Sequence, residues 1–131
     1  MTLSVAFLGY GFVGRAHASA LARLPTAFPD APAVERSVLV GRDERRTREA
    51  ADRLGFAAAT TDLRAALDDV DVLYVLAPND RHVEPSVAAL DRGVHVLCEK
   101  PLAPTLDGAE RMARAAERSS AVAGCAFNYR F

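Results

Sequence analysis

The chain has 131 residues, 50% of them apolar and 25% charged, which suits one domain with a real core. Its formal net charge of −1 gives no electrostatic basis for a nucleic acid or an anionic membrane as partner. No apolar run approaches the roughly 18 residues of a membrane span. The N-terminus also lacks the basic region and the length of a signal peptide, so the expected location is the cytoplasm.

In chain order, an apolar strand at residues 3–8 leads straight into Gly9-Tyr10-Gly11-Phe12-Val13-Gly14. A helix is expected over 12–24. A glycine triad between a strand and a helix is the phosphate-binding turn of a dinucleotide-binding βαβ unit. Gly9 permits the tight turn, Gly11 lets backbone approach a pyrophosphate, and Gly14 lets helix and strand lie close. The pyrophosphate would sit on the unpaired N–H groups at the helix start. Residues 25–33 hold three prolines and read as a surface loop. Strands are then expected at 37–40, 72–76, 94–98 and 122–127, with a weak one near 56–58. Helices are expected at 44–54, 62–67, about 82–91 and 106–119. Asp43, Thr61 and Thr105 sit where N-caps belong, and Gly55 and Gly93 where helices stop. Pro85 fits only the first turn of its helix. The strands are near-continuous apolar runs, as in a parallel sheet covered on both faces. The fold class is therefore α/β, a doubly wound parallel sheet of about six strands in the order 3-2-1-4-5-6, over residues 1–131.

After the second strand, an NAD site usually offers an acid to the adenosine ribose. Here the strand runs into Gly41-Arg42-Asp43. If Gly41 holds the acid position, nothing repels a 2′-phosphate, and Arg42 can reach it with a planar fork of donors. Arg45 and Arg46 are placed to add positive charge. In the alternative, Arg42 is solvated and Asp43 takes the ribose, although Asp43 resembles an N-cap more. NADP is favoured over NAD.

The fifth strand ends in Glu99-Lys100-Pro101. Ligands of open α/β sheets bind outside the carboxyl ends of the strands. A lysine there can donate to, and protonate, a developing alkoxide. From these residues alone, a solvated lysine beside a strand-ending proline is the favoured reading.

Four segments together carry a resemblance. They are Gly9 to His17, Ala77-Pro78-Asn79-Asp80-Arg81-His82, Gly93 to Leu102, and Asn128-Tyr129-Arg130-Phe131. In this order and spacing the chain resembles the N-terminal domain of the Gfo/Idh/MocA oxidoreductases, named for glucose-fructose oxidoreductase, inositol dehydrogenase and a rhizopine-catabolism protein. The resemblance implies a Rossmann fold and an NAD(P)-dependent enzyme. It implies hydride transfer between nicotinamide and a hydroxyl-bearing carbon of a sugar, polyol or related small molecule. Gly9, Tyr10, Gly11, Phe12, Val13 and Gly14 would hold the pyrophosphate, with Gly41 and Arg42 at the adenosine ribose. Ala77, Pro78 and Asn79 would line the nicotinamide side, and Glu99 would sit against its ribose. Lys100 would be the catalytic lysine. Asn128 lies where the chain returns toward the cofactor, as does Arg130. His82 is placed among the cofactor contacts, with a cap role as the alternative, and His17 is read as a packing or hydrogen-bonding residue.

No metal site is expected. His95 and Cys98 are three apart in a strand and face opposite sides. Cys98 and Cys125 read as buried thiols rather than a disulfide framework. Members of the resembled family continue into a second domain that carries substrate contacts and the usual oligomer interface, whereas this sequence ends at Phe131. The expectation is a chain that binds a dinucleotide better than it turns over substrate, with exposed apolar surface, and that forms a family-like homo-oligomer only with that second domain. The alternative function is a non-catalytic dinucleotide-binding or sensor module, against which the retained Glu99-Lys100-Pro101 argues.

Overall fold

A computed structural model describes all 131 residues. Six parallel strands form one sheet in the order β3-β2-β1-β4-β5-β6. They are β1 (Thr2–Leu8), β2 (Ala33–Val40), β3 (Ala58–Thr60), β4 (Val72–Val75), β5 (His95–Glu99) and β6 (Ala123–Ala126). The helices are α1 (Phe12–Ala27), α2 (Glu44–Leu54), α3 (Leu63–Ala66), α4 (Val83–Leu90) and α5 (Leu106–Arg118). The doubly wound parallel sheet and its strand order are as the sequence implied.

Alternation along β1 builds two cores. Val5 and Phe7 point to one face, where they pack with Ala18 of α1 and with Ala50 and Ala51 of α2. Ala6 points to the other face, where Ala89 and Leu90 of α4 and Met112 and Ala115 of α5 cover the sheet. Right-handed crossovers require this division, because the chain winds outward in opposite directions from the β1–β4 pair. That pair is the topological switch point, and its carboxyl edge is where an open α/β sheet takes a ligand.

Several boundaries differ from expectation. Helix α1 continues through Pro25 to Ala27, because Pro25 lies in the last turn and gives up a single backbone bond there, while Phe28 N still donates to Leu24 O at 2.8 Å. Strand β2 starts at Ala33 rather than 37, pairing Ala33 with Thr2. The expected long loop thus shrinks to residues 28–32. A register shift between Val5 and Ala6 leaves Ser37 opposite no residue of β1, and this irregularity hides the strand's polar first half. Strand β3 lies at Ala58–Thr60 rather than 56–58, and Phe56 instead packs into the core at 4.9 Å from Phe7. The cap of α3 is Asp62, not Thr61, because the Asp62 carboxylate accepts from the N–H groups of Arg64 and Ala65. Asp43 and Thr105 cap α2 and α5 as expected, and Pro85 is the third residue of α4.

The turn after β1 requires glycine. Gly9 has φ +104°, and a Cβ there would stand 2.8 Å from Leu76 O. A Cβ on Gly14 would stand 2.7 Å from Gly9 O. Both obstacles are backbone, so neither can swing aside. Gly14→Ala is expected to destabilise the chain by about 1–3 kcal/mol in urea unfolding. Gly124→Ala, whose nearest neighbour would be the Leu97 side chain at 3.7 Å, is expected to change it by less than about 0.5 kcal/mol. Equal effects would refute this account of the turn.

Candidate functional site

The site lies along the carboxyl edge of β2, β1, β4 and β5. Its centre is the start of α1. Gly11 is the N-cap, no side chain caps the helix, and the first turn holds no acid. The first N–H groups therefore have no intrahelical partner and the positive end of the helix is unopposed. A Cβ at Gly11 would meet no atom within 4 Å, so the backbone there is open to an approaching ligand. Gly14 is buried beneath, while the Phe12 ring is exposed. A cradle with bare N–H donors and no side chain above it fits a pyrophosphate.

On one flank, β2 ends at Val40 and Gly41 N donates to Thr60 O at 3.1 Å. A side chain at position 41 would force Thr47 and Tyr10 to shift, since its Cβ would meet Thr47 Oγ1 and lie 2.5 Å from Tyr10 Cε1. Tyr10 thus leans over Gly41 toward α2, with its hydroxyl 3.4 Å from Thr47 Oγ1. Asp43 accepts from Arg46 N at 2.8 Å, which settles its role as an N-cap. Arg42 is exposed and enters no ion pair, whereas Arg45 is spent on Glu49.

On the other flank, Ala77, Pro78 and Asn79 leave β4 and enter a 3-10 turn at Asn79–Arg81. One strand further, β5 delivers Glu99 and Lys100. Glu99 Oε1 lies 3.0 Å from His17 Nε2, and Glu99 Oε2 accepts from Lys100 N at 3.1 Å. The His17 ring stands edge-on to Phe7 and Tyr74, with centroids 6.4 and 5.7 Å away. His17, expected to pack or to hydrogen-bond, reaches across from α1 to hold the carboxylate that precedes Lys100. No local motif could have shown this, since the partners are 82 residues apart.

Lys100 is exposed and its ammonium is in no ion pair. It is also the only lysine in the chain; every other Lys/Arg position is arginine. That count is a signal in the sequence itself, and it singles out this position for an amine rather than a guanidinium. His82 does not line the open edge. Its ring is buried at 1% exposure and both nitrogens are taken by backbone carbonyls, so the expected cofactor contact is replaced by an internal role. Asn128 and Arg130 lie in an exposed 3-10 turn that follows β6, and Asn128 comes two residues after Ala126, the register partner of Glu99.

Residues 3–127 match the description "Oxidoreductase family, NAD-binding Rossmann fold". The chain belongs to the Gfo/Idh/MocA oxidoreductase family. It is 40% identical to levoglucosan dehydrogenase of Pseudarthrobacter phenanthrenivorans over 131 residues, covering 98% of this chain and 34% of that protein. It is 35% identical to D-xylose 1-dehydrogenase (NADP(+)) 2 of Haloferax volcanii over 124 residues, covering 93% of this chain and 38% of that protein. A solved levoglucosan dehydrogenase in complex with NADH and levoglucosan superposes with a TM-score of 0.95 at 39% identity, over 99% of this chain and 36% of that one. The chain thus spans about a third of the length of the curated relatives it matches. The match covers residues 3–127, and the six-stranded parallel sheet is the Rossmann fold that it describes. No helix is long and apolar enough to cross a membrane.

The two cysteines lie just inside this edge, with both thiols near the Glu99 carbonyl. Cys98 and Cys125 are register partners on β5 and β6. Cys98 is buried, and burial pushes its thiol up to about 12. Cys125 is half-buried rather than buried, also with its thiol raised by burial. A thiol with a raised pKa is almost wholly protonated at neutral pH and is a poor nucleophile. In a Cys125→Ser background, alkylation of Cys98 is expected to accelerate about tenfold per pH unit between roughly pH 7 and 10 without levelling. A plateau near pH 8.5, the ordinary thiol range, would show that the burial is not felt.

Proposed function

We propose that this chain is the cofactor-binding part of an NADP-preferring dehydrogenase that acts on a hydroxyl-bearing carbon of a sugar, polyol or related compound. The observation that carries the reading is the placement of the chain's single lysine, Lys100, at the carboxyl edge two strands from the bare helix start of α1. When bound, a nicotinamide supplies the hydride acceptor or donor.

The chain's own residues do the rest. The N–H groups around Gly11, Phe12 and Val13 hold the pyrophosphate, and Ala77, Pro78 and Asn79 wall the nicotinamide side. Glu99, fixed by His17, faces the nicotinamide ribose. Lys100 Nζ donates to the substrate oxygen. In the reducing direction it gives its proton to that oxygen as the carbonyl becomes an alcohol, and in the oxidising direction it takes the hydroxyl proton back.

The relatives' names point both ways on the cofactor, one solved with NADH and another named for NADP(+). Support for NADP comes from this chain's own β2 end. Gly41 offers no acid, Asp43 is bound to its helix, and Arg42 is in no ion pair. A hydrogen bond to a charged group contributes roughly 1.5–3 kcal/mol, which corresponds to about tenfold to hundredfold in affinity. Calorimetric titration of the chain is therefore expected to show NADP⁺ binding about tenfold to hundredfold tighter than NAD⁺. Arg42→Ala should remove that margin and leave NAD⁺ binding unchanged. Equal weakening of both dinucleotides would refute the 2′-phosphate assignment.

The role of Lys100 is tested in a fusion that joins this chain to the substrate domain of a relative. Lys100→Ala is expected to lower kcat by about 10²–10⁴-fold while dinucleotide affinity holds. Unchanged turnover would remove the catalytic assignment and favour a dinucleotide-binding module.

A further inference from the structure

His82 presents a hydrogen-bonding pattern that a neutral histidine cannot satisfy. Its Nδ1 lies 3.0 Å from Pro101 O and its Nε2 lies 2.8 Å from Ala77 O. Both partners are carbonyl oxygens, which only accept. A neutral imidazole has one N–H and one bare lone pair. In either tautomer, one nitrogen would face a carbonyl with its lone pair at hydrogen-bond distance. Turning the ring over would set C–H groups against the same oxygens and leave both nitrogens without partners. Only a ring protonated at both nitrogens donates to both carbonyls. No carboxylate pairs with the ring. Nearby Glu84 of α4 is taken by Arg111 of α5 at 2.8 Å, Asp80 lies 3.9 Å from Arg81, and Glu99 of β5 is held by His17.

The position of the ring explains what this arrangement does. The β4–β5 ladder ends at the pair Val75 and Cys98. Beyond it, Ala77 leads into the Pro78–Asn79 wall, and Lys100 and Pro101 leave β5. The imidazole spans the gap after the last ladder pair, and its own carbonyl accepts from Ser86 Oγ at 2.7 Å, which anchors it to α4.

We propose that His82 is an imidazolium clasp, donating to Ala77 O and Pro101 O, that ties the end of β4 to the turn carrying Lys100 and so positions that lysine beside the nicotinamide wall. Its value for the reaction rests on the reading of Lys100 given above, whereas the clasp itself does not. His82 is a positioning residue, since its ring is buried and both its nitrogens face backbone carbonyls.

Two measurements on the full chain, without cofactor, test it. In the first, ¹⁵N-histidine labelling reads the ring nitrogens at neutral pH. The clasp predicts that both His82 nitrogens are protonated and that both N–H protons are protected from exchange. One protonated and one bare nitrogen would overturn it, and this measurement needs no variant that might fail to fold. In the second, ¹⁵N-lysine labelling yields a single backbone amide signal, because Lys100 is the only lysine. That amide is expected to exchange at least about tenfold faster in His82→Leu, by an intermediate amount in His82→Gln, and at the native rate in Arg118→Gln. A native exchange rate in a folded His82→Leu variant would overturn the positioning role. Neither measurement involves turnover, so their failure leaves the assignment of Lys100 standing, and failure of that assignment leaves the clasp.

Discussion

The approach of bare backbone to bare backbone at the end of β1 is the constraint on which the rest of the site depends. Gly9 lies against Leu76 O and Gly14 against Gly9 O, each at a spacing that admits no Cβ. Because these contacts are so short, α1 begins directly at the carboxyl edge of the sheet rather than a turn away. Its unpaired N–H groups then share one edge with the residues that leave β4 and β5. The glycines thus do more than permit a turn. They set the distance between the uncapped start of α1 and the lysine two strands away.

Along that edge, polar groups divide into those already engaged and those left free. Asp43 is bound to its own helix, Glu99 is held from two sides, Arg45 is paired with Glu49, and both nitrogens of His82 are taken. Arg42, the start of α1 and the Lys100 ammonium are free. The engaged groups fix geometry, and the free ones are those a phosphate or a reacting oxygen can recruit. This division is what a preorganised site requires, because groups held before binding need not be ordered during it.

Much of this was legible in the sequence, for physical reasons. Apolar runs of strand length alternate with capped helical segments, so the doubly wound sheet and its strand order follow from periodicity and handedness. The glycine spacing marked the tight turn after β1 because backbone clearance is a local property. What stayed hidden depended on distant partners. The first half of β2 is polar and irregular, and only its pairing with β1 makes it a strand. Pro25 looks like a helix breaker, yet its place in the last turn costs one bond. His17 reads as packing or hydrogen-bonding with no named partner, and His82 as a cofactor contact or a cap, until their partners on β5 and beyond it are seen. The solitary lysine was there to be counted and needed no structure.

The central claim is that one carboxyl edge, from the end of β2 to the end of β5, receives a dinucleotide on the start of α1. The most direct test is a backbone amide map of the ¹⁵N-labelled chain during titration with NADP⁺. The account predicts the largest shifts at Gly9 to Gly14, at Gly41 and Arg42, and at Ala77, Asn79 and Lys100, with the amino edge around Asp71 and Gly93 unmoved. Shifts centred elsewhere, or none at Gly11, Phe12 and Val13, would contradict it.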